Sequence, residues 1–262
     1  MRVLIYNDMG VSSWAYGFAR LGHDVAVWSS DKMKAFKAFE MQTPDLYIGP
    51  YSSLSPAVLR SKGKSVLALW DDVDDDTEAP PNSFVFSAAE EHRDCAAHVR
   101  WPYSGDEPSG QYFSPLACDV TLLGEHDRNY DPYLMPLLEQ SYITRAYGKL
   151  PWATPYYAGN LESWEELCAL SSCKVLPLWG GAVRDARHIL RAVHNGCLPV
   201  VAGFFDGPVP QSDNAGHFVE MVSRLVADED ERIRLLGELR LWAAARDPVE
   251  SAQSLIKAFL VC

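Results

Sequence analysis

An acidic side chain, Asp8, follows the first predicted strand of the chain. The apolar run RVLIY ends in the turn Asn7-Asp8-Met9-Gly10. A glycine such as Gly10 permits close approach of the backbone to a ligand, and Asp8 has the chemistry of a general base that accepts a proton from a hydroxyl group. The alternative is that these residues only form the turn, because Asn, Asp and Gly are common there.

A second acidic segment, DDVDDD, covers residues 71–76 and directly follows the predicted strand SVLALW. Asp71 and Asp72 are nearest the strand end, which makes them candidates for contacts to a substrate hydroxyl, with Asp72 as a second candidate base. Asp-x-Asp also suits a divalent metal, which we treat as the lesser option. The alternative is a solvated acidic loop, because runs of charge usually face water.

Cationic and aromatic side chains lie at predicted strand ends and helix starts in the second half of the chain. The cations are Arg128, Lys149, Arg184, Arg187 and His188. Such a cluster suits a diphosphate, although each cation alone is commonly a surface residue. Trp179 and Gly180 leave room for a nucleobase or sugar, or form a simple loop. The histidines have no metal-binding spacing, and only His126, beside Arg128, is a candidate site residue.

Composition limits the classes of partner. The 262 residues include 23 Lys and Arg against 35 Asp and Glu, for a net charge of −12. This charge disfavours non-specific binding to nucleic acid or an anionic membrane, although a local basic cleft remains compatible with it. No apolar run approaches the length of a membrane span, and the six cysteines form no CxxC pair. We therefore expect a cytoplasmic protein with reduced cysteines and no membrane span.

Short apolar strands alternate with helical segments, which is typical of parallel sheets covered on both faces. The aperiodic, Pro-, Gly- and Ser-rich segment Trp101–Pro115 is interpreted as a linker. We predict an N-terminal lobe at residues 1–115 and a C-terminal lobe at residues 116–262 that carries the terminal helices. The fold class is α/β, with two doubly wound Rossmann-like lobes facing across a cleft. Ser163 is predicted to cap a helix, with Glu166 as its capping-box partner.

Four segments of the second half share a frame with one enzyme group. They are Val120–Gly124 followed by His126-Asp127-Arg128, the turn Tyr147-Gly148-Lys149, the stretch SWEELCALSSCKVLPLW, and RHILRAVHNGCLPVVAG. This frame resembles the GT-B glycosyltransferases, specifically the family-1-like group that includes the spore-maturation CgeB-type proteins. The resemblance covers roughly residues 100–245. In the first half, LALWDDVDDD is similar to the Trp-rich strand and acidic loop of that group.

The resemblance implies a glycosyltransferase that moves a sugar from a nucleotide-sugar donor, held by the second lobe, to an acceptor held by the first. With the patterns above, it makes Asp8 and Asp72 catalytic candidates and Gly10 and Asp71 acceptor-side candidates. The donor-binding candidates are Gly124, Arg128, Lys149, Trp179, Gly180, Arg184, Arg187 and His188. No cofactor is expected beyond the nucleotide-sugar co-substrate, and magnesium is not expected.

One position departs from the group. Many retaining members carry a Glu on the last helix of this frame that contacts the donor ribose, and here the matching position holds Arg191. This departure favours the first of two alternatives that stay open. One is a degenerate GT-B-like scaffold that binds a nucleotide or sugar without turnover. The other is a glycosyltransferase acting on modified bases of phage DNA, which the net charge disfavours.

Overall fold

The computed structural model describes residues 1–7, 12–29, 44–50, 66–70, 83–87, 97–99, 101–179 and 186–260. The chain divides into two compact units. Unit 1 comprises residues 1–107 and 246–262, and unit 2 comprises residues 108–245. Each unit contains one six-stranded sheet. No helix in the described ranges is long and apolar enough to cross a membrane.

The sheet of unit 1 is parallel and has the strand order β2-β1-β3-β4-β5-β6. Its strands are β1 (Arg2–Asn7), β2 (Asp24–Ser29), β3 (Leu46–Pro50), β4 (Val66–Trp70), β5 (Ser83–Ser87) and β6 (Ala97–His98). The central strands are apolar on both faces, and Leu4, Ile5 and Ile48 are at most 2% exposed. This burial is expected of a parallel sheet with helices on both faces.

Two helices of unit 1 pack against each other, α1 (Ser12–Arg20) and the last helix of the chain, α7 (Pro248–Phe259). A Cβ atom on Gly17 would lie 2.1 Å from the carbonyl oxygen of Pro248, so only a glycine allows this approach. The predicted boundaries assigned the last helix to the second lobe and placed the lobe division after residue 115. In the structure, packing on α1 places the last helix in unit 1, and unit 2 begins at residue 108.

The sheet of unit 2 is also parallel, with the strand order β12-β11-β10-β7-β8-β9. Its strands are β7 (Cys118–Leu123), β8 (Thr144–Tyr147), β9 (Tyr157–Gly159), β10 (Cys173–Trp179), β11 (Leu198–Ala202) and β12 (Gln211–Ser212). All five residues of β11 are buried. The predicted α/β class with parallel sheets in both halves is confirmed.

Within residues 108–179 and 186–245, the helices of unit 2 are α2 (Asp131–Leu138), α3 (Ser163–Ser171), α4 (Arg187–His194), α5 (Ala215–Ala227) and α6 (Glu229–Ala244). The predicted cap of α3 is wrong by one residue. Glu162 is the N-cap, and Glu165 completes the capping box. The Glu162 side chain accepts a hydrogen bond from the backbone N–H of Glu165, as a serine cap would. Glu166 is therefore available for an ion pair with Arg191.

Part of the predicted linker is anchored in unit 2. The Gly110 N–H donates to Asn195 Oδ1 at 2.8 Å, and the Ser171 hydroxyl donates to the Gly110 carbonyl at 3.0 Å. A Cβ on Gly110 would lie 2.2 Å from the Leu167 carbonyl carbon. In this segment, side chains rather than a neighbouring strand form the hydrogen bonds to the backbone N–H and C=O groups. The segment therefore needs no helical or strand periodicity.

Four described cysteines, Cys118, Cys168, Cys173 and Cys197, are buried free thiols. The sulfur atoms of Cys173 and Cys197 lie 3.0 Å apart. Burial raises the pKa of Cys118 to about 12, so this thiol stays protonated at neutral pH. These four cysteines therefore serve as small core residues.

Asp119 joins two elements at the start of the unit 2 sheet. One carboxylate oxygen lies 2.6 Å from Lys174 Nζ, and the other accepts from the Ile143 N–H at 2.8 Å. Burial alone raises the pKa of Asp119, but the hydrogen bonds from Lys174 and Ile143 outweigh it and hold this pKa below the ordinary 3.8. The ionised carboxylate is therefore the form that stabilises the fold.

We expect Asp119→Ala to lower the free energy of unfolding by about 1 kcal/mol at pH 7, discounted because Lys174 is largely solvated. A lowered native pKa stabilises the fold above the unfolded-state value, and that stabilisation is lost as the pH falls through the native pKa. The difference between wild type and variant should therefore shrink as the pH falls below 3.8, the unfolded-state value, and vanish below the lower native pKa. Urea unfolding of both proteins from pH 7 to pH 3 measures this difference. Glu238→Ala, which removes the exposed ion pair between Arg234 and Glu238, is the control. A difference independent of pH would contradict the assignment.

Candidate functional site

Two strand ends of unit 2 approach each other with backbone contact. Beyond β7, Gly124 has φ +104°, a conformation that favours glycine, and its N–H donates to the Tyr147 carbonyl at 3.0 Å. Beyond β8, a Cβ on Gly148 would lie 2.1 Å from the Gly124 carbonyl oxygen. The two loops that leave the carboxyl ends of these strands are therefore held together by glycines, at the sheet edge where α/β proteins bind ligands.

Trp152 fixes this junction. The indole N–H donates to the Gly124 carbonyl at 2.9 Å, and the side chain is 4% exposed. The Tyr157 hydroxyl donates to the Gly148 carbonyl at 3.0 Å. Both glycine carbonyls thus accept a hydrogen bond from an aromatic side chain, which orients the loops without a further secondary-structure element.

Aromatic rings continue from this junction across the sheet edge. His126 stacks on Trp152 with centroids 5.4 Å apart, and Trp152 meets Trp179 edge-on at 6.2 Å. Trp179 in turn stacks on Tyr130 at 6.2 Å. We call His126, Trp152, Trp179 and Tyr130 the aromatic row. His126, Trp179 and Tyr130 are half-buried, so the row presents ring surface to solvent while its centre is packed.

Polar contacts hold the loop after β7 in place. Asp127 accepts from the Asn129 N–H at 2.9 Å and caps a short 3₁₀ turn over Arg128–Tyr130. His126 Nε2 lies 2.7 Å from Asp131 Oδ1. This contact orients the ring that stacks on Trp152, because the carboxylate accepts from the imidazole N–H.

The described cations of the predicted site occupy three positions. Arg128 begins the 3₁₀ turn and Lys149 follows Gly148; both are exposed. Within the described ranges, neither forms an ion pair, so their charges are available to a ligand. Arg187 and His188 lie half-buried in the first turn of α4, whose N-terminus carries partial positive charge.

Several predicted site residues fall outside the described ranges. They are Asp8, Gly10, Asp71, Asp72, Gly180 and Arg184. Their roles stay predictions. Of the described candidates, Gly124 and Trp179 are joined to one another through Trp152. Arg128 and Lys149 lie on the two loops that meet at the glycine junction.

The sequence-based prediction missed Gly148, Trp152 and Tyr130. The sequence did indicate a Tyr-Gly-Lys turn at Gly148. It did not indicate that Gly148 contacts Gly124. Trp152 and Tyr130 carried none, because a tryptophan or tyrosine in a loop is as compatible with core packing as with a site.

Arg191, at the position of the ribose-binding Glu of the resembled group, pairs with Glu166 of α3. The distance between Arg191 Nη1 and Glu166 Oε1 is 2.6 Å, and the two side chains are 10% and 19% exposed. This arginine therefore links α4 to α3. Among the described residues, no group of three or more His, Cys, Asp or Glu side chains is arranged to hold a metal ion.

No protein-family model matches the chain, and no curated protein sequence matches it significantly. Solved structures do match. The DNA-modifying enzyme β-glucosyltransferase is 13% identical with a TM-score of 0.59, and the match covers 99% of both chains. T4 phage BGT in complex with its UDP-glucose substrate is 12% identical with a TM-score of 0.57, also over 99% of both chains.

A third structure, described as a UDP-N-acetylglucosamine 2-epimerase from Listeria monocytogenes, is 10% identical with a TM-score of 0.56. The match covers 98% of this chain and 95% of that one. Identities this low show the fold alone. The chain has the GT-B-type α/β fold, built from two Rossmann-like units with parallel sheets.

Proposed function

We propose that this chain is a glycosyltransferase whose nucleotide-sugar donor binds at the carboxyl edge of the unit 2 sheet. The observation that carries the proposal is the junction of Gly124 and Gly148, flanked by the aromatic row and by the exposed cations Arg128 and Lys149. Backbone, ring surface and positive charge are the three features that a nucleoside diphosphate sugar engages.

Each feature matches one part of the donor. Arg128 and Lys149 supply positive charge for the diphosphate, which gains negative charge as the glycosidic bond breaks. The half-buried rings of Trp179 and Tyr130 suit the flat face of a base or the apolar face of a sugar. Arg187 and His188 complete the proposed donor-binding set from the first turn of α4.

Uridine nucleotides are the first donors to test. The T4 phage structure has UDP-glucose as its substrate, and the Listeria protein is described as acting on UDP-N-acetylglucosamine. A UDP-sugar is common to both names. The resemblance of residues 100–245 to the CgeB-type group is part of the same proposal and implies no essential metal.

The acceptor side of the proposal rests on the first unit. Asp8 and Asp72 are the proposed bases for the acceptor hydroxyl, with Gly10 and Asp71 beside them in sequence. A base is needed because the hydroxyl must lose its proton as it attacks the anomeric carbon. Replacement of Asp8 or Asp72 by Asn should therefore lower kcat for transfer while leaving UDP affinity unchanged.

Arg128→Ala tests the donor site. We expect it to weaken UDP binding about tenfold to a hundredfold, because a charged hydrogen bond contributes about 1.5–3 kcal/mol. Isothermal titration calorimetry with UDP and UDP-glucose measures the affinity. Arg234→Ala is the matched control, because Arg234 is an exposed arginine on α6 that pairs only locally with Glu238. Equal affinities for wild type and Arg128→Ala would contradict the assigned role, and no binding of any nucleotide to wild type would overturn the proposal.

The likeness to a DNA-modifying β-glucosyltransferase favours DNA as a second candidate acceptor. The net charge of −12 opposes it, because Lys and Arg that neutralise the phosphates supply most of the sequence-independent affinity for DNA. Incubation with UDP-glucose and either DNA or small hydroxylated acceptors separates the two candidates. Sugar incorporated into DNA that falls steeply with salt supports the second candidate, and transfer to small acceptors alone excludes it.

A scaffold that binds without turnover predicts a different result. The Arg191–Glu166 pair favours this alternative, because the arginine at the ribose-contact position is already engaged. Binding of UDP without hydrolysis or transfer of any UDP-sugar would support the scaffold. Release of UDP from a UDP-sugar would exclude it.

A further inference from the structure

Three buried polar atoms without hydrogen-bond partners lie on one face of adjacent strands in unit 2. They are Thr121 Oγ1, Arg145 Nε and Tyr147 OH, each unpaired with respect to the described residues. Thr121 of β7 and Arg145 of β8 are register partners, and Tyr147 is two residues beyond Arg145. Because side chains alternate along a strand, all three side chains share a face.

The burial of these groups makes the absence of partners costly. Thr121 is 0% exposed and Tyr147 is 3% exposed, whereas Arg145 is half-buried. An unpaired buried hydroxyl costs free energy, and so does the buried, unpaired Nε–H of the half-buried Arg145. The Arg145 guanidinium is close enough to the Tyr147 hydroxyl to oppose the rise of its pKa on burial, and neither Arg145 Nε nor the Tyr147 oxygen has a hydrogen-bond partner within the described residues.

No counter-charge for Arg145 is present among the described residues. None of their carboxylates forms an ion pair with it. Burial raises the pKa of Tyr147, and burial likewise raises the pKa of nearby Cys118 to about 12, although Arg145 partly opposes both shifts. Both groups are therefore neutral at pH 7, so neither supplies a counter-charge for the guanidinium.

We propose that Arg145, Tyr147 and Thr121 form a binding site for a phosphate group. The guanidinium supplies the charge and directed N–H donors, and the two hydroxyls supply O–H donors to the same oxyanion. A tetrahedral anion accepts several such bonds at once, so one ligand satisfies all three groups. No metal or cofactor is needed for this site.

Two sources of the phosphate group have the same chemistry. Tyr147 immediately precedes Gly148 in the sequence, whereas its hydroxyl is near Cys118 and Cys173, the first residues of β7 and β10. The bound group is either a phosphate of the nucleotide or a free phosphate ion. The site itself does not depend on the proposed function, because inorganic phosphate probes it directly.

The test is the thermal stability of the full chain with and without inorganic phosphate, together with its affinity by calorimetry. We expect phosphate to raise the Tm of wild type and to bind Arg145→Gln at least tenfold more weakly. Without phosphate, Arg145→Gln should melt at or above the wild-type Tm, because it removes an uncompensated charge. Arg234→Gln, at an exposed ion pair, should leave the phosphate effect unchanged.

Two results would overturn the site. One is no effect of phosphate on wild type, which would assign the three groups to an internal water network. The other is an unchanged effect in Arg145→Gln. If Arg145→Gln does not fold, Tyr147→Phe removes only the hydroxyl and should weaken phosphate binding severalfold without loss of the native fold. Unchanged phosphate affinity in that variant would also overturn the proposal.

Competition between UDP and inorganic phosphate identifies the source of the phosphate group. If saturating UDP abolishes phosphate binding and Arg145→Gln weakens UDP, the site binds a phosphate of the nucleotide. If the effects of UDP and phosphate add, the site binds a free ion. If wild type binds UDP but does not bind phosphate, this inference alone is overturned. If wild type binds phosphate but no nucleotide, the proposed donor site alone is overturned.

Discussion

Replacing Gly148 with alanine should abolish nucleotide binding and lower the free energy of unfolding by about 3 kcal/mol. The new Cβ would lie 2.1 Å from the Gly124 carbonyl oxygen and 3.2 Å from Trp152 Nε1. The obstacle is backbone, so no side-chain rotation relieves it. The loops after β7 and β8 must separate, which breaks the Trp152–Gly124 hydrogen bond and displaces the aromatic row. Urea unfolding measures the stability, and calorimetry with UDP measures the binding.

Gly237→Ala is the matched control for this substitution. Gly237 lies within α6, and a Cβ there meets nothing within 4 Å. The same chemical change should therefore stabilise the protein slightly, by up to about 1 kcal/mol, because alanine favours a helix. UDP affinity should be that of wild type. Equal stability of Gly148→Ala and wild type would show that the two loops are not in backbone contact.

Replacing Trp152 with alanine should lower the free energy of unfolding by about 3–5 kcal/mol. The side chain is 4% exposed, so its removal leaves a cavity at the centre of the aromatic row. His126 loses the ring on which it stacks, and Trp179 loses its edge contact. UDP affinity should fall even under conditions in which the variant is fully folded, as circular dichroism and calorimetry on the same samples would show.

Trp152→Phe separates packing from hydrogen bonding. Phenylalanine keeps a ring beside His126 but removes the N–H that donates to the Gly124 carbonyl. We expect a loss of about 1 kcal/mol of stability, the usual contribution of one hydrogen bond. If the indole N–H positions the Gly124 loop for the donor, this variant binds UDP more weakly than its stability change explains. Wild-type affinity in Trp152→Phe would assign to Trp152 a packing role only.

The regular elements of unit 2 were largely predictable. Apolar periodicity and turn residues delimit strand Leu198–Ala202 and helix Ala215–Ala227 locally. The short strands Ala97–His98, Tyr157–Gly159 and Gln211–Ser212 were not predicted. Two or three residues are too few to show the alternation of apolar and polar side chains that indicates a strand. These strands exist because a neighbouring strand supplies their hydrogen bonds.

The place of the last helix was not predictable. Its amphipathic pattern indicates that one face is buried, but not which unit buries it. Gly17 of α1 decides this, because only a glycine there admits the Pro248 carbonyl. The cap of α3 was misplaced because local rules favour Ser163 over a glutamate as N-cap, whereas in the structure the Glu162 and Glu165 side chains accept hydrogen bonds from each other's backbone N–H groups.

The amino-acid order alone determined the α/β class, the two parallel sheets, and the chemical types at the unit 2 strand ends, including Gly124, Arg128, Lys149 and Trp179. Those features follow from local spacing, which reports strand ends and helix starts. The tertiary structure alone decided that Gly148 touches Gly124, that Trp152 joins them, that Arg191 pairs with Glu166, and that Arg145 shares a face with Tyr147 and Thr121. These contacts join different strands and helices, and the relation between such elements is set by packing of the whole unit, which no local pattern encodes.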